Sequence, residues 1–391
     1  MKKSYKILSS VFICVLLLFS LVTLPIDKVL AKSELTIEEN INNVKSCFLI
    51  DTKSGTVIYE KEADKKLPIA SMTKLVTLGV VFDAIDNGKI QIDKEITISA
   101  TAAAAEGSEA FLDANKRYKI EDLIKTVIIS SANDSAIALA EAVAGSEQNF
   151  ARLMNDYAES IGMENSHFSN ATGLPSTDHY STARDMSIIY KNISDNFIYK
   201  KYAKIWIDEL VHSSGRKTGL VNTNRLVKSY SSCTGGKTGH TNEAGYCLTA
   251  AAKRGEMELI GVVVGAKDSK IRFSSMINLF DYGFDNFENR VVVKKDNPIC
   301  EINIKGSKDK LFDVYAKNDY IKFIKKGDEL IYSTEIILND VVAPINSDEK
   351  VGSLLILDKN NIVVEEIDLV LNQKVEKIKL NEILENIYNE W

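Results

Sequence analysis

Histidine and cysteine are scarce in this chain, with four and five among 391 residues. His167, His179, His212 and His240 form no H-E-x-x-H or other short ligand pair, so the sequence gives no metal site. No G-x-S-x-G elbow is present to introduce a histidine-dependent serine triad. An enzyme built from these residues works with no cofactor, no metal and no histidine base. Cys14 lies in an N-terminal apolar run, and Cys47, Cys233, Cys247 and Cys300 show no C-x-x-C pairing. A long chain with so few cysteines is not a disulfide scaffold. The four read as small buried side chains, with one bridge left open and no basis for choosing its partners. Basic excess is absent too. The formal charge is −6, which makes the chain a poor candidate for nucleic acid. A phosphate loop is also excluded. The stretch GGKTG needs a glycine at position 231 to complete a Walker pattern, and that residue is Ser231. The segment before it, NRLVKSYSSC, is a poor buried strand.

What is present begins with a targeting signal. MKKSYK is basic, ILSSVFICVLLLFSLVTL is apolar, and Val29-Leu30-Ala31 supplies the small residues of a cleavage site. This predicts a secretory signal peptide over 1–31, cut after Ala31. An uncleaved membrane anchor is the other reading, because the run is long enough to span. Both place residues 32 onward outside the cytoplasm. Loss of residues 1–31 removes four lysines and one aspartate, leaving a formal charge of −9. Cys14 does not end the apolar run, which argues against a lipoprotein anchor.

Residues 45–51 and 56–61 read as a hairpin about Lys53-Ser54-Gly55. Leu75–Ile85 is apolar nearly all round, as a helix inside a domain must be, and stops at Asn87-Gly88. Residues 121–143 and 146–161 are helical in pattern, and Ser181-Thr182 caps a further helix. The runs 246–253 and 257–265 form an apolar hairpin about Arg254-Gly255-Glu256, followed by a helix over about 269–282. One mainly antiparallel sheet with helices on its faces accounts for this order. From Arg290 to about Lys374 the chain alternates as an all-β segment, starting a separate domain near residue 288. Residues 375–391 place Leu380, Ile383, Leu384, Ile387, Tyr388 and Trp391 on one helical face. That helix either lies on a membrane surface or docks on its own domain or on a partner.

Three short motifs carry chemistry. In Ser71-Met72-Thr73-Lys74, a lysine three residues beyond a serine shares its helical face, and if neutral it can take the hydroxyl proton. The same spacing recurs at Ser214/Lys217, Ser307/Lys310 and Ser347/Lys350, but only Ser71 opens a buried helix. Burial is the deciding property, since an exposed lysine stays charged at neutral pH. The second motif is Ser131-Ala132-Asn133, in a short break between two apolar helical runs. Its serine can relay a proton and its amide can hold a peptide group. The decoy Ser194-Asp195-Asn196 reads as a helix cap. The third is Lys237-Thr238-Gly239, which leads into the apolar hairpin. There lysine and threonine can bind a carboxylate, and Lys237 disfavours a second positive charge on Lys74. Its decoy, Lys217-Thr218-Gly219, reads as a hydrophilic turn with no strand after it.

The set S-x-x-K, S-x-N and K-T-G, with the stretches PIASMTKLVT, SSANDSAIALAE, GLPSTDHYSTARDM and GGKTGHTNEAGYCL, resembles the low-molecular-mass penicillin-binding proteins, the serine D-alanyl-D-alanine carboxypeptidases. The resemblance covers about residues 40–285. It implies an α/β (α+β) penicillin-binding/β-lactamase-like transpeptidase fold, with an antiparallel sheet and a helical cluster, plus a small all-β C-terminal domain and a terminal amphipathic helix. The implied domains are a signal peptide over 1–31, a catalytic domain over 32–287, a β domain over 288–374 and the helix over 375–391. The implied substrate is the peptidoglycan stem peptide, with β-lactam antibiotics as covalent inhibitors and no nucleic-acid partner. The implied place of work is the outer face of the cytoplasmic membrane. Ser71 would be the nucleophile and Lys74 its base, while Ser131 and Lys237 would pass the proton to the leaving D-alanine. Asn133 would hold the peptide, and Lys237, Thr238 and Arg272 the terminal carboxylate. The backbone N–H groups of Ser71 and His240, next to Gly239, would form the oxyanion hole.

The middle motif reads S-A-N rather than the S-D-N of class A β-lactamases, and no E-x-x-L-N segment lies between the second and third motifs. Both points favour the peptidase. A D,D-endopeptidase or transpeptidase on the same residues stays open, as does a catalytically silent cell-wall sensor.

Overall fold

The computed structural model describes residues 37–382. The described residues fall into two units divided between Asn43 and Val44. Within the first, Ile37–Asn40 forms a helical turn, α1.

The second unit is built on a five-stranded antiparallel sheet. Its strands are β1 (Ser46–Asp51), β2 (Val57–Lys61), β7 (Cys233–Thr241), β8 (Gly245–Arg254) and β9 (Met257–Ala266), in the order β2-β1-β9-β8-β7. An antiparallel pair, β3 (Glu95–Thr97) with β4 (Arg117–Lys119), and a hairpin, β5 (Ile207–Val211) with β6 (Lys217–Val221), form separate two-stranded sheets. Six consecutive residues of β8 and nine of the ten in β9 are buried, so both faces of the sheet are covered, as in a three-layer arrangement. The covering elements are α7 (Ala183–Ser194) and α10 (Ser269–Asn286). Gly261 of β9 lies against Met276 and Phe280 of α10, where any added side-chain carbon would fall 2.5 Å from the Met276 sulfur.

A helical cluster surrounds α2 (Lys74–Asp86). It comprises α3 (Ala100–Ala103), α4 (Ile120–Ile129), α5 (Asn133–Ala144) and α6 (Glu147–Ser160), with α8 (Phe197–Ala203) and α9 (Leu226–Ser229) beside the sheet. Ten of the thirteen α2 residues are buried, including Leu75, Val76, Leu78 and Val81. Each large apolar side chain so buried contributes about 1.5–3 kcal/mol. This fixes α2 rigidly and, with it, the residues at its start. Thr182 caps α7 by accepting from the Asp185 N–H, and Asn196 caps α8, as a helix start needs.

Phe287–Val293 (β10) opens an all-β region containing β11 (Pro298–Asn303), β12 (Leu311–Ala316), β13 (Tyr320–Lys325), β14 (Ser333–Leu338), β15 (Lys350–Leu357) and β16 (Val363–Val370). β10 pairs with β13, and the others form a sheet in the order β11-β12-β16-β15-β14 around a core that includes Val314, Val351, Ile356 and Leu369.

Two expectations change. Lys217–Val221 is a strand, not a turn, because Leu210 and Leu220 alternate with exposed residues and bury one face of the hairpin. The C-terminal helix does not begin at 375. Val375 is buried and bridges Ile345, and Lys377 bridges Ser307, so 375–379 remain extended and helix appears only at 380–382. Of the apolar face, Ile383, Leu384, Ile387, Tyr388 and Trp391 lie outside the described residues. The predicted signal peptide lies outside them too. Among the described residues no helix is long and apolar enough to cross a membrane. Cys47, Cys233, Cys247 and Cys300 are all free thiols, the first three buried.

Candidate active site

The polypeptide enters α2 through a 3₁₀ turn, Ala70–Thr73. In a 3₁₀ turn residues i and i+3 eclipse one another. Ser71 and Lys74 therefore face the same way, and Lys74 Nζ donates to Ser71 Oγ at 3.0 Å. Ala70 just before holds φ +49°, a left-handed conformation for a residue with a Cβ. Such strain costs about 1–3 kcal/mol and persists where neighbours impose it. One neighbour is Gly173 (φ +82°), packed so tightly on the turn that a Cβ there would sit 2.0 Å from the Ala70 carbonyl oxygen.

Lys74 is fully buried, and its second hydrogen bond goes to the Thr172 carbonyl oxygen at 2.8 Å. Among the described residues no carboxylate is hydrogen-bonded or ion-paired to it. Burial pushes its ammonium down to about 7, and the more distant charges of Asp134 and Glu147 pull only partly the other way. The neutral amine is thus accessible near neutral pH.

α4 ends at Ile129 and α5 starts at Asn133. Ser131 occupies the break with φ +64°. Its Oγ accepts from Lys237 Nζ at 2.7 Å, and Lys237 also donates to the Thr238 carbonyl oxygen at 2.9 Å. Lys237 is buried on β7, and burial first, then the positive charges of Lys74 and Arg272, hold it well below the usual lysine range. Lys74 therefore opposes a charge on Lys237, whereas the lowering of Lys74 itself comes from burial and not, as expected, from Lys237. Thr238 is buried beside it, and Gly239 follows where β7 runs against the 3₁₀ turn. The His240 side chain is exposed and packs on the Tyr246 ring at 4.0 Å between centroids.

Asn133 donates through Nδ2 to the Glu106 carbonyl oxygen. Its Oδ1 is buried with no partner, an arrangement costing about 1–3 kcal/mol that a peptide N–H would relieve. Arg272, in the first turn of α10, is 7% exposed. Its guanidinium donates to the Gly239 and Cys247 carbonyl oxygens at 3.3 and 3.4 Å and lies over the Phe273 ring, while Nε has no partner. The structure thus brings Ser71, Lys74, Ser131, Asn133, Lys237, Thr238 and Gly239 onto adjoining elements, with Arg272 behind the Gly239 end of β7.

The decoys are elsewhere. Lys217 pairs with Glu209, and Lys350 with Asp368, on exposed surfaces away from the three motifs. One E-x-x-L-N match does exist in the chain, Glu335–Asn339. It falls on the fully exposed strand β14, far along the chain from the three motifs.

Several supporting residues escaped the motif reading. Asp134 accepts from the backbone N–H groups of Ala110, Leu112 and Ser135, at 3.0, 3.0 and 2.7 Å. This pins the loop beside Asn133 and leaves Phe111 between the two anchors, exposed and at φ +59°. His179 accepts at Nδ1 from the Ser169 N–H, so its Nε2–H donates to Thr73 Oγ1 at 2.7 Å, and burial holds it down at about 4, a neutral strut under the nucleophile turn. Only the adjacency of Asp134 to the second motif could have flagged it. Asp134→Ala leaves three backbone donors unpaired and is expected to cost about 3–5 kcal/mol in urea unfolding. Asp134→Asn, which retains an acceptor oxygen, is expected to lose less. Equal and small losses would show that the loop stands without this carboxylate.

A family model described as D-alanyl-D-alanine carboxypeptidase (peptidase S11) matches residues 33–268, and one described as penicillin-binding protein 5, C-terminal domain, matches 287–377. The chain is 34% identical over 355 residues to D-alanyl-D-alanine carboxypeptidase DacF of Bacillus subtilis, covering 90% of this chain and 91% of that one. It is 38% identical over 271 residues to DacC of Escherichia coli, covering 68% and 67%. Among solved structures, penicillin-binding protein 5 from Haemophilus influenzae superposes with a TM-score of 0.66 at 29% identity, covering 86% of this chain and 98% of that one.

Proposed function

Because the chain belongs to the D-alanyl-D-alanine carboxypeptidase family of serine peptidases, we propose that it removes the terminal D-alanine of peptidoglycan stem pentapeptides through an acyl-enzyme on Ser71. The observation carrying this reading is the buried Lys74 Nζ 3.0 Å from Ser71 Oγ, with the Lys237–Ser131 contact at 2.7 Å beside it.

Neutral Lys74 takes the Ser71 hydroxyl proton as Oγ bonds to the carbonyl carbon between the two D-alanines. The oxyanion is held by the backbone N–H groups of Ser71 and His240. Ser131 and Lys237 pass the proton taken by Lys74 on to the departing nitrogen, which leaves Lys74 neutral again; the C–N bond breaks, and D-alanine leaves. Water then gives a proton to Lys74 and its oxygen to the acyl carbon, and Lys74 returns that proton to Ser71 Oγ as the acyl bond breaks, freeing the shortened peptide and Ser71. Asn133 pairs its open amide oxygen with a stem-peptide N–H. Lys237, Thr238 and Arg272 hold the terminal carboxylate. A β-lactam takes the same attack, but its ring nitrogen stays tethered to the acyl group, so Ser71 remains blocked.

We place residues 32–287 as the catalytic domain and 288–374 as the β domain. Residues 1–31 then act as the export signal, and the reaction takes place outside the cytoplasm. Residues 380–391 are the surface element, whose apolar sequence stripe suits the outer face of the cytoplasmic membrane.

The test is D-alanine release from diacetyl-Lys-D-Ala-D-Ala by the protein from residue 32, with peptide mapping after benzylpenicillin treatment. Release, with the penicilloyl group on the peptide containing Ser71, supports the reading. Release with the adduct elsewhere overturns the assignment of Ser71, and no release at all overturns the carboxypeptidase.

A further inference from the structure

Lys74 rests on a carbonyl from a distant segment rather than from its own helix. The Thr172 carbonyl oxygen takes Lys74 Nζ at 2.8 Å, and the Ala171 carbonyl oxygen takes Thr77 Oγ1 at 2.7 Å, one turn further along α2. Gly173 closes the same segment on the Ala70 carbonyl oxygen. Asn170 shapes it from below, its Oδ1 accepting from the Thr172 and Gly173 N–H groups at 3.1 and 2.7 Å. The Ala171 N–H remains. It donates to Glu147 Oε1 at 3.0 Å, and since Ala171 is fully buried this donor cannot turn to water. One carboxylate on α6 thus completes the seat of the lysine on α2.

Glu147 opens α6 directly after its cap, Ser146. The helix dipole favours an acid there whatever else it does. Two observations ask more of it: the side chain reaches across to Ala171, and its charge is felt at Lys74. The titratable groups around Lys74 are Asp134 on α5, Glu147 on α6, Lys237 on β7 and His179 behind Thr73, with Arg272 acting on Lys237. Burial holds Lys237 and His179 toward their neutral forms, which leaves the two carboxylates as countercharges. Asp134 spends its oxygens on three backbone donors, whereas Glu147 serves one. We infer that Glu147 is a positioning residue for the general base: it holds the Ala171–Thr172 segment on which Lys74 rests, and its charge steadies the ammonium that Lys74 becomes on taking a proton from Ser71 and again from water. It takes no proton itself. The inference rests on the reading of Lys74 as the base of a carboxypeptidase.

The experiment separates the seat from the charge. For the protein from residue 32, kcat/KM for diacetyl-Lys-D-Ala-D-Ala and the rate of Ser71 acylation by benzylpenicillin are followed from pH 5 to 9.5. Glu147→Gln keeps an acceptor for Ala171 and removes the charge. Its rise in rate is expected to move from about pH 7 to about pH 6, since an ammonium that loses a countercharge gives up its proton more easily. The ratio of the rate at pH 6 to that at pH 9 then grows about fivefold, while the plateau falls only about threefold, as for a slightly weaker base. Glu147→Asp keeps the charge on an arm too short for Ala171. Its rise is expected to stay near pH 7 and its plateau to fall about tenfold, the cost of a loosened base. A purely structural role at the start of α6 would move neither rise. An unmoved rise in Glu147→Gln overturns the charge, and an unmoved plateau in Glu147→Asp overturns the seat. Acylation by benzylpenicillin keeps the two readings apart. If no D-alanine is released but acylation shows these shifts, the carboxypeptidase fails and Glu147 stands; if D-alanine is released and neither profile changes, only Glu147 fails.

Discussion

Lys74→Met is expected to lower kcat/KM for D-alanine release by about 10³–10⁴-fold, the scale of losing a general base that activates a nucleophile, while leaving a more stable fold. Both effects come from burial. Lys74 has no exposed surface, and its ammonium falls from 10.5 to about 7. An amine proton held more weakly in the folded state than in the unfolded state costs stability at low pH. That cost is full below pH 7, shrinks as pH rises from 7 to 10.5, and vanishes above it. At pH 7 it amounts to roughly 4 kcal/mol. Methionine escapes it but leaves the Thr172 carbonyl oxygen without a donor, a loss of about 1–3 kcal/mol. The variant should therefore gain on the order of 2 kcal/mol in urea unfolding at pH 7, and its advantage should fade toward pH 10. In the unmodified protein the same titration should appear in the rate, with kcat/KM rising through pH 7 as the amine loses its proton and flattening above. Activity within tenfold of normal in Lys74→Met would remove this lysine as the base.

The three motifs were legible because each is local. Ser71 and Lys74 are joined by backbone geometry, and a run of apolar residues after them announces that the lysine is buried. The break holding Ser131 was legible for a similar reason, lying between two apolar helical runs. Less visible were contacts whose chemistry belongs to the backbone or to distant loops. No pattern marks the Thr172 carbonyl oxygen as the partner of Lys74, ninety-eight residues earlier. Nor does any pattern show that Asp134 turns inward to hold Ala110 and Leu112. The β5–β6 hairpin was missed because its alternation is short and its strands are largely polar, with only Leu210 and Leu220 buried. The same weakness explains the C-terminal stretch. Its helical spacing is real in sequence, but the buried Val375 spends residues 375–379 on bridges to the β domain before any helix starts.

Local motifs also had twins, and the structure explains why a twin triplet is inert. Gly219, in the other Lys-Thr-Gly, faces open space: nothing lies within 4 Å of where a side-chain carbon would stand. Gly239 is different. A Cβ there would fall 2.4 Å from the Ile69 carbonyl oxygen, 3.1 Å from the Met72 nitrogen and 3.2 Å from the Ala70 Cβ. Backbone atoms of the nucleophile turn cannot swing aside as a flexible side chain would, so Gly239→Ala must push β7 away from that turn. Displacement by about 1 Å costs roughly 10²-fold in rate. The His240 N–H proposed for the oxyanion hole is the next peptide along, and losing one such donor costs a further 10²–10³-fold, about 2.7–4 kcal/mol. Because one movement causes both losses they will not simply multiply, and a fall of about 10³-fold in kcat/KM is expected. The strain should also lower stability by about 1–3 kcal/mol. Gly219→Ala, the same substitution in the same three-residue pattern, should leave both quantities within error. If the two variants behave alike, the close approach of β7 to the nucleophile turn is not what distinguishes the third motif from its copy.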